Sequence, residues 1–238
     1  MGQFKSMDGI LIINKPAGPT SYDIVDQIKK ITRTKKVGHA GTLDPFAQGV
    51  LIILINQATK LQTKFMDMPK TYIGTLKLGE TSNTYDPEGK IMQSSRNNGQ
   101  TNPNYQIPSI QTVKNIINTF IGEIEQIPPI HSAIKVNGER AYKLAWKGEK
   151  PELKPRKIKI YNIKILDYKW PYLKIEVNCG RGTYIRSLAH DIGQKLDCGA
   201  YLQTLIRTKI GKFIIENSIA VNDLNSQNWT KKIISANL

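Results

Sequence analysis

Cysteine is almost missing from this 238-residue chain: Cys179 and Cys198 are the only two, and they form no CxxC pairing. That excludes a disulfide framework and a thiolate metal site, and points to a reduced, cytoplasmic setting. Long apolar runs are missing too. No segment approaches the ~20 residues of a membrane span, and Met1 to Met7 lacks the apolar core of a signal peptide, so no membrane contact is expected. The three histidines, His39, His131 and His190, are scattered, with no HExxH or His/Cys cluster, so no metal site is expected. Neither a GxxxxGKS/T loop nor a GxGxxG fingerprint occurs, which removes the common nucleotide-binding loops. Acidic residues are scarce, 19 against 34 Lys and Arg, for a net charge of +15. Such an excess suits a polyanionic partner, nucleic acid first, although a coding bias toward Ile, Lys and Asn would raise the same count. Repeats, low-complexity tracts and linkers are absent, which favours a single mixed domain.

Against these absences one stretch stands out. Gly38-His39-Ala40-Gly41-Thr42-Leu43-Asp44-Pro45-Phe46-Ala47-Gln48-Gly49-Val50 reads as a glycine-rich loop feeding a buried strand, Leu51 to Ile55. Pro45 fixes its own φ and bars helix at Asp44, so the carboxylate sits on a stiff turn. A carboxylate so held can act as general acid or base, as metal ligand, or as nucleophile at a sugar carbon; it can also simply cap backbone amides.

Along the chain, Gly9 to Pro16 predicts a buried strand and Thr20 or Ser21 caps a helix with Ile24, Val25, Ile28 and Ile31 on one face. Its exit is crowded with Lys29, Lys30, Arg33, Lys35 and Lys36. Ala58 to Met68 predicts a helix, and Lys70 to Leu78 a strand with Tyr72, Gly74, Leu76 and Leu78 on one side. Gly79 to Pro108 reads as a loop with a hairpin around Pro87-Glu88-Gly89. Ser109 caps a helix through Phe120; a short helix lies near Glu139 to Trp146; Lys157 to Asp167 and Tyr172 to Cys179 pair as strands. A helix follows Gly180 to Ala189, strands occupy Cys198 to Phe213, and Ile219 to Leu224 begins a last helix. Tyr72 and Tyr184 offer faces on which a displaced base can stack, and Arg186 can pair with a carboxylate or a phosphate.

Taken together, these residues resemble the TruB-type tRNA pseudouridine synthases. The similarity rests on Gly9 to Pro16, on Gly38 to Pro45, and on Lys70-Thr71-Tyr72. It continues through Ile127-Pro128-Pro129 with Ser132-Ala133-Ile134-Lys135, and through Gly182-Thr183-Tyr184-Ile185-Arg186-Ser187-Leu188 with Cys198-Gly199-Ala200, in family order over roughly residues 9 to 213. The resemblance implies an α+β fold with a mixed, mainly antiparallel central sheet and flanking helices. It implies a catalytic domain over 1–225 with an inserted thumb at about 121–157; the short tail expected over 226–238 leaves no room for the C-terminal RNA-binding PUA domain into which many relatives continue. It further implies conversion of uridine 55 in the tRNA T loop to pseudouridine, with no cofactor, no metal, no obligate protein partner and a monomeric chain. On the same basis Asp44 is the catalytic carboxylate, His39 helps hold the flipped-out RNA, and Tyr72 stacks on the target base. Tyr184 and Leu205 line the pocket, Arg186 pairs with the catalytic Asp, Asp86 is a second acidic partner of that arginine, and Lys15 is a structural or phosphate contact.

Two departures from the family pattern matter. Ser82-Asn83-Thr84 stands where relatives often read Thr-Asp-Thr. With no PUA domain, the basic segments around 29–36 and 143–159 are expected to share its contacts. Breaking the N1 to C1′ bond, turning the uracil and rejoining it through C5 consumes nothing, and Asp44 could attack C1′, add to C6, or remove the C2′ proton. The competing readings are a tRNA-binding folding chaperone without catalysis, and a subunit of a guide-RNA-dependent pseudouridine synthase.

Overall fold

Two runs of aliphatic residues, β1 (Gly9–Lys15) and, after α1 (Ser21–Thr32) and β2 (Val37–Ala40), β3 (Gln48–Ile55), pair antiparallel from Gly9↔Ile55 to Lys15↔Gly49. Because side chains alternate along a strand, residues of both parities must be apolar if both faces are covered. They are. Leu11, Ile13, Leu51, Ile53 and Ile55 pack with Ile24, Val25 and Ile28 of α1, while Ile10, Ile12, Val50, Ile52 and Leu54 pack with Ala58 and Phe65 on the opposite face.

The computed structural model describes residues 7–94, 106–132, 134–136, 138–149 and 151–235. A 3-10 turn at Asn56–Leu61 leads into α2 (Gln62–Asp67), β4 (Lys70–Leu78), the hairpin of β5 (Glu80–Ser82) and β6 (Ile91–Gln93), and α3 (Ile110–Asn118). Then come β7 (Gly122–Gln126), a small ribbon of β8 (Lys135–Val136) and β9 (Glu139–Arg140), α4 (Ala141–Trp146), and the long hairpin of β10 (Arg156–Lys169) and β11 (Tyr172–Cys179). The chain closes with α5 (Ile185–Lys195), β12 (Ala200–Ile210), β13 (Phe213–Ile214) and β14 (Ile219–Ala220). The fold is α+β, with a large, mainly antiparallel sheet and few helices.

The chain divides into two compact units, Met1–Tyr72 with Ile206–Leu238, and Ile73–Leu205. In the first, β3 is bordered on one side by β1; its other edge is shared by β2, opposite Ile52 to Ile55, and by β12, whose Ile206 and Arg207 run parallel to Gln48 and Gly49. The connection 41–47 leaves β2 and returns to β3 within that step. In the second unit, β11, β10 and β7 lie in antiparallel order, from Ile163↔Val177 across to Ile158↔Ile124.

Several elements differ from their sequence reading. The stretch from Gly38 is not all loop: Val37 to Ala40 is a strand, because β3 offers an edge whatever the intrinsic preference of these four residues. Residues 219–224 form β14 and a 3-10 turn, since Ile219 finds β1 at Ile13, and the helix near 58–68 begins as a 3-10 turn at Asn56. The stretch after 225, read as a tail, is tied in: Trp229 is buried against the α1 face, and Ile234 exchanges backbone hydrogen bonds of 2.9 Å with Ile10. Of the expected loop over 79–108, residues 95–105 lie outside the described residues, as do Met1 to Ser6 and Ala133 of two sequence motifs. No helix among the described residues is long and apolar enough to cross a membrane.

Candidate active site

Asp44 is half-buried on a turn closed by the Ala47 amide donating to the Asp44 carbonyl at 3.1 Å, with Pro45 and Phe46 at its corners. Gly41 leaves β2 with φ +93, and Gly49 enters β3 with φ +107. A Cβ at Gly49 would stand 2.2 Å from the Arg207 carbonyl oxygen, so only glycine fits there.

The turn is held by side chains from far along the chain. Ser21, at the start of α1, donates through Oγ to the Leu43 carbonyl at 3.1 Å and accepts the Leu43 amide at 2.9 Å. Lys15, the last residue of β1, is fully buried, and its ammonium donates to the carbonyls of Pro16, Pro19 and Pro45 at 2.8, 2.7 and 3.1 Å. The Gly18 amide takes the Pro45 carbonyl as well, at 2.8 Å. Arg207 of β12, 1 % exposed, donates from Nε to Val50 at 2.7 Å, from Nη2 to Gly41 at 3.0 Å and from Nη1 to Thr42 at 3.5 Å. Two buried cations therefore satisfy carbonyls on both sides of Asp44. An ammonium or guanidinium out of water is tolerated only when its donors are met, and each such charged bond contributes about 1.5 to 3 kcal/mol.

His39 lies on β2 opposite Ile53, and its carbonyl accepts from Gln62 at 2.8 Å. Burial, with a smaller contribution from the Arg207 charge, pushes its imidazole below the usual histidine range. The ring is therefore neutral at pH 7. Its Nδ1 is buried with no hydrogen-bond partner among the described residues. Tyr72 is on the buried face of β4, two residues after Lys70, whose ammonium donates to Met66 and Met68 at 2.7 and 2.6 Å.

In the second unit, the start of α5 gathers three segments. Arg186 donates through Nη1 to Asp86 Oδ2 at 2.9 Å and to the Thr84 carbonyl at 3.2 Å, and through Nη2 to the His131 carbonyl at 2.9 Å. Both members of the ion pair are buried, at 5 % and 3 % side-chain exposure. The other carboxylate oxygen of Asp86 accepts the Thr84 hydroxyl and the Glu88 amide. One turn along α5, His190 stacks on Tyr85 with ring centres 4.1 Å apart. Tyr184 is half-buried, and Gln126 holds it by its backbone, accepting its amide at 2.8 Å and donating to its carbonyl at 3.0 Å. Leu205 is buried on β12.

Arg207, Ser21 and Gln126 are the residues that sequence reading missed. Arg207 carried a signal: two positions after Leu205 it shares the inward parity of β12, where a cation must be buried and partnered. Gln126 is 2 % exposed. Gln126→Leu is expected to cost about 2 to 4 kcal/mol, because two backbone groups of Tyr184 lose their partner, and urea unfolding measures it.

Residues 29–185 match the family model described as TruB family pseudouridylate synthase (N terminal domain), which makes the protein a pseudouridylate synthase by class. Residues 186–237 match the tRNA pseudouridylate synthase B C-terminal domain. The chain belongs to the TruB family. It is 49% identical to the tRNA pseudouridine synthase B of Clostridium acetobutylicum over 96% of this chain and 76% of that protein. With the tRNA pseudouridine synthase B of Clostridium tetani it is also 49% identical, over 97% and 77%. Among solved structures, the crystal structure of a Cbf5-Nop10-Gar1 complex contains a chain 30% identical, with a TM-score of 0.67 over 90% of this chain and 53% of that one.

Proposed function

We propose that this protein isomerises uridine 55 in the T loop of tRNA to pseudouridine, with Asp44 as the one catalytic carboxylate. The tRNA substrate follows the names of its relatives in the two clostridia. The observation that carries the assignment to Asp44 is the grip on its turn: Lys15, Ser21 and Arg207 bind the carbonyls of Gly41, Thr42, Leu43, Pro45 and Val50, leaving the carboxylate on a fixed mount. A reaction in which one bond to C1′ is exchanged for another needs a group positioned to a fraction of an ångström and kept ionised. Attack at C1′, addition at C6 and abstraction at C2′ are all within the reach of such a carboxylate. Water must be kept from the sugar, or hydrolysis would compete.

The catalytic domain over 1–225, with its thumb at 121–157, and the roles of the remaining residues belong to the same proposal. Tyr72 and Tyr184 stack on or line the pocket of the flipped uracil, together with Leu205; His39 contacts the RNA as a neutral ring; Arg186, anchored by Asp86, orients the carboxylate. For Lys15 the supported role is structural, since its three donors end on three carbonyls inside the protein.

The test is incubation of the purified protein with an unmodified tRNA transcript, followed by mapping of pseudouridine. Product at the T-loop uridine is expected; its absence under several salts and tRNAs would sink the assignment. A stacking role for Tyr72 gives Tyr72→Ala a loss of roughly tenfold to a hundredfold in turnover, matching ~1 to 3 kcal/mol of base stacking, and Tyr72→Phe a much smaller one. Equal losses in the two variants would argue against stacking.

A further inference from the structure

The residue before Asp86 has an unusual backbone. Tyr85 stands in the turn between β5 and β6 with φ +64, in the left-handed region that bulky side chains avoid. Among the described residues, the other non-glycine positions with positive φ have ordinary explanations. Asn56 and Asp197 belong to the types that tolerate the region best, and Arg33 is the C-cap of α1. Elsewhere in the unit of Tyr85 the same backbone falls to glycine, as at Gly79 and Gly199 with φ +89 and +71. The backbone of Tyr85 is firmly held, its amide donating to the Ser82 carbonyl at 3.1 Å and its carbonyl accepting the Leu202 amide at 3.0 Å. Glycine would meet these requirements without strain, so the reason for a tyrosine lies in its ring.

That ring lies against α5. Arg186 and His190, four residues apart, share one face of the helix. Arg186 Nη1 donates to the Thr84 carbonyl and to Asp86 Oδ2, the groups on either side of Tyr85. One turn along, the Tyr85 ring covers the His190 imidazole with its plane inclined by only 17°. Residues 84, 85 and 86 are thus tied to α5 by a carbonyl, a ring and a carboxylate in succession. Nδ1 of His190 is buried with no hydrogen-bond partner among the described residues, so the imidazole meets Tyr85 by its face alone. Burial pushes that imidazole below the usual histidine range, which leaves it neutral at pH 7. Burial, and then the charge of Asp191, pushes the Tyr85 phenol above the usual tyrosine range. The hydroxyl therefore keeps its proton at pH 7, and nothing marks it as an acid for the reaction.

Resting on the role given to Arg186 above, we propose that Tyr85 is a positioning residue, whose stack on His190 fixes the 84–86 corner on α5 and with it the place and tilt of the Arg186 guanidinium. An ion pair holds a distance but lets its partners slide and rotate. A near-parallel ring stack one turn away removes that freedom. In this role Tyr85 touches no reacting atom and acts only through Arg186. Because a misplacement of about 1 Å can cost about a hundredfold in rate, the effect of losing the stack belongs to kcat and not to RNA affinity.

Three variants test this on an unmodified tRNA transcript. Tyr85→Gly suits the left-handed backbone and removes the ring, Tyr85→Phe keeps the ring without its hydroxyl, and His190→Ala removes the other half of the stack. Tyr85→Gly and His190→Ala should each lower kcat by roughly tenfold to a hundredfold with KM within about twofold of the wild type. Tyr85→Phe should stay within about threefold in kcat, and the double variant Tyr85→Gly with His190→Ala should be no slower than the worse single one, since the two rings act as a unit. Should the glycine variant melt below the assay temperature, His190→Ala, which leaves the Tyr85 backbone untouched, carries the same expectation. Nitrogen-15 NMR of the Arg186 guanidinium gives a readout without turnover: its protons should exchange slowly in the wild type and Tyr85→Phe, and faster in the other two. Wild-type kcat in Tyr85→Gly and His190→Ala, a phenylalanine variant as slow as the glycine one, a loss carried by KM, or unchanged Arg186 exchange would each overturn the proposal. A wild type that makes no pseudouridine defeats the tRNA reading instead, and the exchange measurement still decides whether the stack holds the guanidinium.

Discussion

Asp44→Asn will bind tRNA and make no pseudouridine. The amide is nearly the same size, and the bonds that hold its turn involve backbone carbonyls, which the substitution leaves alone. Thermal unfolding should therefore shift little. Turnover should fall by about 10³-fold or more, because an amide is neither a nucleophile at C1′ or C6 nor a base at C2′. The informative measurement pairs a filter-binding titration with pseudouridine mapping on the same preparation. Retained binding with lost product supports a catalytic carboxylate; retained product removes Asp44 from the reaction; tRNA binding with no product from the wild type itself would favour the folding-chaperone reading.

The second large effect concerns Arg207. Arg207→Leu takes the donors away from Gly41, Thr42 and Val50 at once. With each buried carbonyl worth about 1 to 3 kcal/mol when left unpaired, a loss of roughly 3 to 5 kcal/mol follows, a large part of the ~5 to 15 kcal/mol that stabilises a typical domain. The melting temperature should drop by roughly 10 °C. Arg207→Lys keeps the charge but not the fork, so it should fold with a smaller loss and still turn over roughly tenfold to a hundredfold more slowly, through a looser turn. His39 supplies a readout apart from activity. Its pKa should stay depressed in the lysine variant and rise part of the way back in the leucine variant, because burial, the larger cause, remains while the neighbouring charge is gone. Proton NMR of the imidazole decides it.

What could be read from the sequence follows the strength of local signals. β4 was legible residue by residue, because Tyr72, Gly74, Leu76 and Leu78 alternate with partly exposed neighbours. The caps were legible, Ser109 outright and Thr20 as one of two choices with Ser21, because a hydroxyl that takes a first-turn amide belongs to a short sequence pattern, and the side chains of Thr20 and Ser109 accept such an amide. β2 was not, since Val37 to Ala40 become a strand only through the edge of β3, an interaction that no window of neighbours contains. β14 was misread for the same reason. At the site, Asp44 drew attention because glycine and proline surround it. Of its holders Lys15 came only through the family resemblance and Arg207 not at all, for lysine and arginine ordinarily mean surface, and the partners that bring the two inside lie up to 166 residues away.

That separation in sequence sets a timetable. The unit carrying Asp44 is assembled from both stretches of chain, Met1–Tyr72 and Ile206–Leu238. On a ribosome adding about 5 to 20 residues per second, Arg207 emerges roughly 10 to 30 s after Gly41. Until then β3 has no β12 beside it, and the carbonyls of the turn wait in water. A nascent chain stalled before residue 207 presents an unfinished sheet edge to chaperones and proteases. The turn that carries Asp44 is closed only once residue 207 has joined it, as a single late event.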